Sequence, residues 1–141
     1  MSGNTTPDAQ AHSSFTILVV DDEPSLLALV RTMLWRAGFK VLEASGGEEA
    51  LRVASQHAQP IQLLLTDILM PDMNGYELAE KVKSARPGIQ ILYMTGYTDK
   101  AIFESTGRKL DNSRMIRKPF TAYNLVHRIE EALDGQSLTT Q

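Results

Sequence analysis

Three short apolar runs, each closed by charge, constrain this chain more than any other feature. Ile17-Leu18-Val19-Val20 ends on Asp21-Asp22, Leu63-Leu64-Leu65-Thr66 ends on Asp67, and Arg114-Met115-Ile116-Arg117 ends on Lys118-Pro119. Runs of this length and apolarity predict buried strands of a parallel sheet. Parallel sheets bind ligands outside the carboxyl ends of their strands. If the three strands are neighbours, three carboxylates and one ammonium meet on one rim. Crowded carboxylates repel one another unless a cation joins them, so the set points to a hard metal ion and an anionic group.

Helix signals alternate with the strands. Thr16–Val20 is predicted as the first strand, and Pro24 suits the first turn of a helix whose stripe is Leu26, Leu27, Val30, Met33 and Leu34 and whose stop is Gly38. Phe39–Ala44 reads as a more polar strand nearer an edge, Gly47–His57 as a helix and Ile61–Thr66 as the third strand. Tyr76–Ala85 is expected to be helical, Ile89–Met94 a strand, Asp99–Thr106 a weak helix and Met115–Arg117 the fifth strand. Thr121 caps a last helix carrying Leu125, Ile129 and Leu133, and Gly135 is expected to end it. Strand ends recur at intervals of roughly two dozen residues, the room a right-handed βαβ crossover needs. The predicted fold is α/β, a flavodoxin-like (βα)₅ doubly wound parallel sheet of order 2-1-3-4-5, which sets strands 1 and 3 side by side at the switch point.

The length of 141 residues fits one domain with its own core. Residues 1–14 are polar, without the apolar core of a secretory signal, and are expected to form a disordered arm or linker. The domain proper is predicted over 15–134, with a frayed tail over 135–141. The net charge of −3 and the absence of Lys/Arg runs argue against nucleic acid as a direct ligand. With no cysteine, disulfides, thiolate metal sites and thiol catalysis are excluded. No apolar stretch approaches a bilayer's thickness, and a cytoplasmic setting without membrane contact is the expectation. No DNA-binding or catalytic output segment is read after Asp134.

Mg²⁺ takes oxygen ligands and keeps several waters. It would hold the acidic cluster together and polarise a phosphoryl oxygen. Lys118 adds a point charge for the same oxygen, and Thr95 offers a hydroxyl at the end of strand 4. Asp67 is followed by the turn-rich Met70-Pro71-Asp72-Met73-Asn74-Gly75, which keeps it on an exposed rim. A carboxylate there can take a phosphoryl group as an aspartyl phosphate. Read singly, Asp21 and Asp22 serve equally well as caps of the first helix, and Thr95 as a turn residue. Asp72, Asn74 and Gly75 read as loop geometry, His12, His57 and His127 as surface residues, and Trp35 as half-exposed packing.

Val19-Val20-Asp21-Asp22-Glu23, Asp67 to Gly75, Met94-Thr95-Gly96-Tyr97 and Lys118-Pro119-Phe120 arrive in the order and spacing of the receiver domain of two-component response regulators, which the chain resembles over essentially its whole body. Met94-Thr95-Gly96-Tyr97 and its flanks look most like receivers attached to hybrid sensor histidine kinases. The resemblance implies Asp67 as phosphoacceptor, Asp22 as a direct Mg²⁺ ligand and Asp21 one largely through water. Asp67 and the Leu69 carbonyl complete the implied protein ligands, with Thr95 as switch hydroxyl, Lys118 as phosphate-binding lysine and a cis Lys118–Pro119 bond. It further implies a histidine kinase or histidine phosphotransfer protein as donor, an attached or separate module as reader, and no dedicated turnover enzyme. An aspartate-nucleophile phosphatase of the haloacid dehalogenase class would want a second acid where Leu69 stands.

The chain departs from the family it resembles on strand 5. Many receivers carry an aromatic residue where this one has Met115, which leaves Tyr97 as the expected aromatic readout. Leu69 and Tyr97 flank the path of an attacking water, and neither orients it, so slow loss of phosphate is expected. The weak helix at Asp99–Thr106 is expected to be locally mobile and to form part of the switching face.

Overall fold

The computed structural model describes residues 12–96 and 114–139, the last five by backbone alone. Within them lie five parallel strands: β1 (Thr16–Val20), β2 (Lys40–Ala44), β3 (Leu63–Asp67), β4 (Gln90–Thr95) and β5 (Met115–Arg117). Four helices accompany them: α1 (Pro24–Arg36), α2 (Gly47–Gln56), α3 (Gly75–Ala85) and α4 (Ala122–Thr139). The sheet order is β2-β1-β3-β4-β5, as the alternation of elements predicts. Tyr97 and the Asp99–Thr106 segment lie outside the described residues.

Side-chain alternation explains the two layers. On one face Ile17, Val19, Leu63, Leu65, Leu92, Met94 and Ile116 pack with Leu27, Val30 and Leu34 of α1 and Leu125, Ile129 and Leu133 of α4. On the other, Leu18, Val20, Leu64 and Ile91 pack with Ala50 and Ala54 of α2 and Leu78, Ala79 and Val82 of α3. Every residue of β1 and β3 is buried, because helices cover both faces of a doubly wound sheet. β2 lies at an edge and exposes Lys40 and Glu43, which accounts for its polarity.

Local signals fix the helix ends. Gly38 has φ 98°; its amide donates to the Trp35 carbonyl and that of Phe39 to the Leu34 carbonyl, the paired bonds of a Schellman stop. Thr121 Oγ1 accepts from the Asn124 amide at 3.0 Å and opens α4. The stop expected at Gly135 does not occur, for α4 runs on to Thr139. A glycine ends a helix by turning left-handed, and among the described residues only Gly38 does so.

The residues expected in a loose arm are, from His12 onward, part of the fold. His12 is buried, contrary to its expected surface role. Its ring stacks on Phe39 at 4.2 Å. Nδ1 lies 2.8 Å from the Ala37 carbonyl oxygen and Nε2 3.0 Å from Glu130 Oε2. The neutral ring can donate to only one of these acceptors, the imidazolium to both. His57 is half-buried and His127 exposed.

Candidate functional site

The sheet delivers four functional groups to its carboxyl rim. Asp21 directly follows β1, Asp67 closes β3 beside Met94 of β4, Thr95 closes β4 beside Arg117, and Lys118 directly follows β5. β3 and β4 each extend one residue past the predicted end, so Asp67 and Thr95 sit on rigid strand rather than on loop. The amide of Lys118 donates to the Thr95 carbonyl at 2.7 Å, and this bond joins the hydroxyl-bearing strand end to the lysine. The Lys118–Pro119 peptide bond is cis, as the resemblance implies.

Each carboxylate is oriented by backbone. Asp21, 1% exposed, accepts from the Glu23 amide through Oδ1 at 2.8 Å and presents Oδ2 to Lys118 Nζ at 3.5 Å. Asp21 therefore closes a local turn ahead of α1 rather than capping the helix, whose N-cap is Glu23. The Glu23 side chain itself makes no cap bond to α1. Asp67 accepts from the Ile68 amide through Oδ1 at 2.9 Å and presents Oδ2 to Lys118 Nζ at 3.2 Å. Asp22 is exposed, and Leu69 is half-buried at the start of the loop after β3. Burial pulls the Lys118 ammonium toward deprotonation, but the charges of Asp67 and Asp21 outweigh it and hold its pKa above the usual 10.5.

Asp21, Asp22 and Asp67 fit a divalent cation. One carboxylate oxygen from each lies within 4.8 Å of the others, close to the span of about 4.2 Å between opposite oxygens around Mg²⁺. Three carboxylates against one ammonium leave two negative charges, the charge that a divalent cation would neutralise. Thr95 is buried at the rim, next to this set.

The loop after Asp67 is closed at its neck. The Gly75 amide donates to the Ile68 carbonyl at 2.8 Å. A Cβ at Gly75 would stand 2.5 Å from the Asp67 carbonyl oxygen, so only glycine lets helix α3 start this close to the end of β3. Asn74 then caps α3 in a reciprocal capping box with Glu77. Sequence reading takes Asp72, Asn74 and Gly75 as loop geometry; the structure adds that Asp72 reaches out of its own loop to α2. On the strand-5 side, Met115 is buried with Ile68 and Tyr76, against Tyr93. Tyr93 is its register partner on β4 and lies 4.7 Å from the Tyr76 ring.

Comparison with known proteins agrees with this geometry. A family model, the response regulator receiver domain, matches residues 17–130. The response regulator receiver protein CpdR of Brucella abortus is 32% identical over 117 residues, covering 83% of this chain and 95% of its own. The response regulator SaeR of Staphylococcus aureus is 31% identical over 119 residues, and there the match spans 50% of the relative's length. Among solved structures, a response regulator receiver domain protein from Clostridium thermocellum superposes with a TM-score of 0.74 at 30% identity, over 89% of this chain and 98% of the other. The receiver domain of the hybrid histidine kinase CckA superposes with a TM-score of 0.67 at 29% identity, over 84% and 98%. With a family model over most of its length and a strand order shared with the solved receiver domains, the chain belongs to the response regulator receiver domain family of two-component signalling systems.

Proposed function

We propose that this receiver accepts a phosphoryl group on Asp67 from a phosphohistidine donor. The observation that carries the reading is the convergence of Asp21, Asp22 and Asp67 within 4.8 Å, with Lys118 Nζ 3.2 Å from Asp67 Oδ2. Asp67 Oδ1 is held by the Ile68 amide, which leaves Oδ2 as the attacking oxygen. In the transfer the Oδ2–P bond forms and the donor's N–P bond breaks. The imidazole leaves with the electron pair and regains its proton from water. Such transfers need mainly positioning and charge neutralisation, and strand-end Asp67 and the Lys118 ammonium supply them. Asp21, Asp22, Asp67 and the Leu69 carbonyl would hold Mg²⁺, which when bound neutralises phosphoryl oxygens.

Lys118 then pairs with the phosphoryl group and Thr95 donates its hydroxyl to it. The new charge shifts a two-state equilibrium that a partner or an attached module reads. The donor is a histidine kinase or histidine phosphotransfer protein, and a hybrid kinase's own core is included by the likeness to the CckA receiver. No helix among the described residues is long and apolar enough to cross a membrane, and the cytoplasm is the proposed setting. The test is phosphorylation by a small phosphoramidate, read as a Phos-tag mobility shift, beside beryllofluoride binding followed by NMR. Wild type with Mg²⁺ gives both signals and Asp67→Ala gives neither. An equal mobility shift in Asp67→Ala would refute the assignment.

A further inference from the structure

Helix α2 lacks a cap of its own. Its N-cap is Gly46, which has no side chain to accept from the first turn, although such caps ordinarily come from Ser, Thr, Asp or Asn at that position. The cap arrives instead from 25 residues away in sequence. Asp72 Oδ1 accepts from the Gly47 amide at 3.2 Å and Oδ2 from the Glu48 amide at 2.9 Å. Oδ1 also accepts from the Met73 amide at 3.0 Å. Gly46 makes room for it, because a Cβ there would meet both Asp72 carboxylate oxygens at 3.3 Å.

Asp72 sits at the tip of the loop that begins at Asp67. Its neck is tied by the Gly75–Ile68 bond, and its Met70 and Met73 pack against the α2–α3 layer. Leu69 lies between neck and tip. A carboxylate anchored on a helix N-terminus is favoured by the helix dipole. Backbone donation from Glu48, ahead of the smaller contributions of Gly47 and Met73, holds the Asp72 carboxyl below the usual carboxylate range. The side chain is exposed, so its three backbone bonds are made at the surface, where water competes with each of them.

We infer that Asp72 is a positioning residue for the phosphoacceptor loop: by capping α2 from outside, it fixes the Leu69 carbonyl relative to Asp67 and so raises the affinity of the acidic rim for Mg²⁺. The inference rests on the proposed reading of Asp67 and Leu69 as ligands. Loss of the clamp removes no ligand and only frees the loop that carries the Leu69 carbonyl, so the effect falls on metal affinity rather than on the rate once metal is bound.

The experiment uses the full chain and Mg²⁺ alone, titrated calorimetrically, with urea unfolding in parallel. Asp72→Ala weakens Mg²⁺ binding about fivefold, the size of a lost helix cap at ~1 kcal/mol. At saturating Mg²⁺ it is phosphorylated by phosphoramidate at the wild-type rate. Asp72→Asn, which keeps one acceptor oxygen, recovers part of the affinity. The deciding variant is Gly46→Ser with Asp72→Ala: the introduced serine hydroxyl would cap α2 locally, so stability returns while Mg²⁺ affinity stays low. Recovery of wild-type affinity together with stability would overturn the inference, since Asp72 would then act only through the helix. Unchanged affinity in both Asp72 variants overturns it too, and with Asp67-dependent phosphorylation intact that result leaves the functional reading standing. If Asp67→Ala is phosphorylated like wild type, the functional reading fails instead, whatever the Mg²⁺ titrations show.

Discussion

Replacing Lys118 by Met tests the charge balance of the rim most directly. Met keeps an unbranched, flexible stem of similar length and removes the ammonium. In the native rim that ammonium lies 3.2 Å from Asp67 Oδ2 and 3.5 Å from Asp21 Oδ2. At an effective dielectric of about 20, each contact is a gross attraction of about 5 kcal/mol. Desolvation of the three groups offsets most of that sum, and breaking buried pairs costs about 3–5 kcal/mol. The Lys118 side chain keeps 25% of its exposure, so we expect the low end, about 3 kcal/mol, when Mg²⁺ is chelated away. A divalent cation can take over the neutralisation. With saturating Mg²⁺ the loss should shrink to about 1 kcal/mol, and by linkage Mg²⁺ should then bind the variant about 30-fold more tightly than wild type. Urea unfolding with EDTA and with Mg²⁺, beside calorimetric titration, measures both sides of this cycle. Equal stability losses in the two conditions, with unaltered Mg²⁺ affinity, would show that lysine and metal do not share a charge field. The alkaline limb follows from the same contacts. The folded pKa of Lys118 is raised above 10.5, so its contribution is complete below that value and disappears only as pH climbs past the raised one. The stability gap between wild type and Lys118→Met is therefore flat from neutral pH to about pH 10 and narrows in stronger alkali.

Three other substitutions probe the neighbouring parts. Gly75→Ala drives a Cβ to 2.5 Å from the Asp67 carbonyl oxygen; we expect a loss of about 2–3 kcal/mol, as in overpacked cores, with phosphorylation impaired beyond what stability explains, read by urea unfolding and Phos-tag shift. Leu69→Asn places a water-orienting amide two residues after the acceptor and should speed loss of the phosphoryl group, followed as the decay of the shifted band; an unchanged decay would remove the argument for a long-lived phosphoform. His12→Ala removes a stack on Phe39 and a bond to the end of α1, and should cost about 1–2 kcal/mol in urea unfolding while leaving Mg²⁺ affinity unchanged.

The order of the sheet and most of the rim are legible in the sequence because they depend on local patterns. Apolar runs such as Leu63-Leu64-Leu65 mark strands buried on both faces, and the charge that ends each run lies at a strand end by construction. Asp21, Asp67, Thr95 and Lys118 then meet through topology alone. The helix stop at Gly38 is equally local, since the Schellman bonds need only the next residue and the last turn. Gly135 shows the limit of that signal: the same residue type ends a helix only where the chain turns left-handed, and nothing in the neighbouring residues distinguishes the two cases.

What the sequence hides is the remote contact that no strand pattern brings together. His12 sits in a polar stretch that reads as a loose arm, yet it meets Ala37 and, across 118 residues, Glu130. Asp72 reads as a turn former because turn formers are common in such loops, while its two oxygens are engaged by a helix that starts 25 residues earlier. The only trace in the sequence is an omission, a glycine at the N-cap of α2 where a capping side chain belongs. An uncapped helix start beside a functional loop is an opening for a distant carboxylate, and filling it ties the loop to the scaffold without burying a charge. The rim thus combines strand ends, which fix Asp67 and Thr95 through the sheet, with a loop tied at its neck by Gly75, packed through Met70 and Met73, and capped at its tip by Asp72. On the proposed reading, the Leu69 carbonyl is thus the one metal ligand carried by a tethered loop, while Asp67 is carried by the sheet itself.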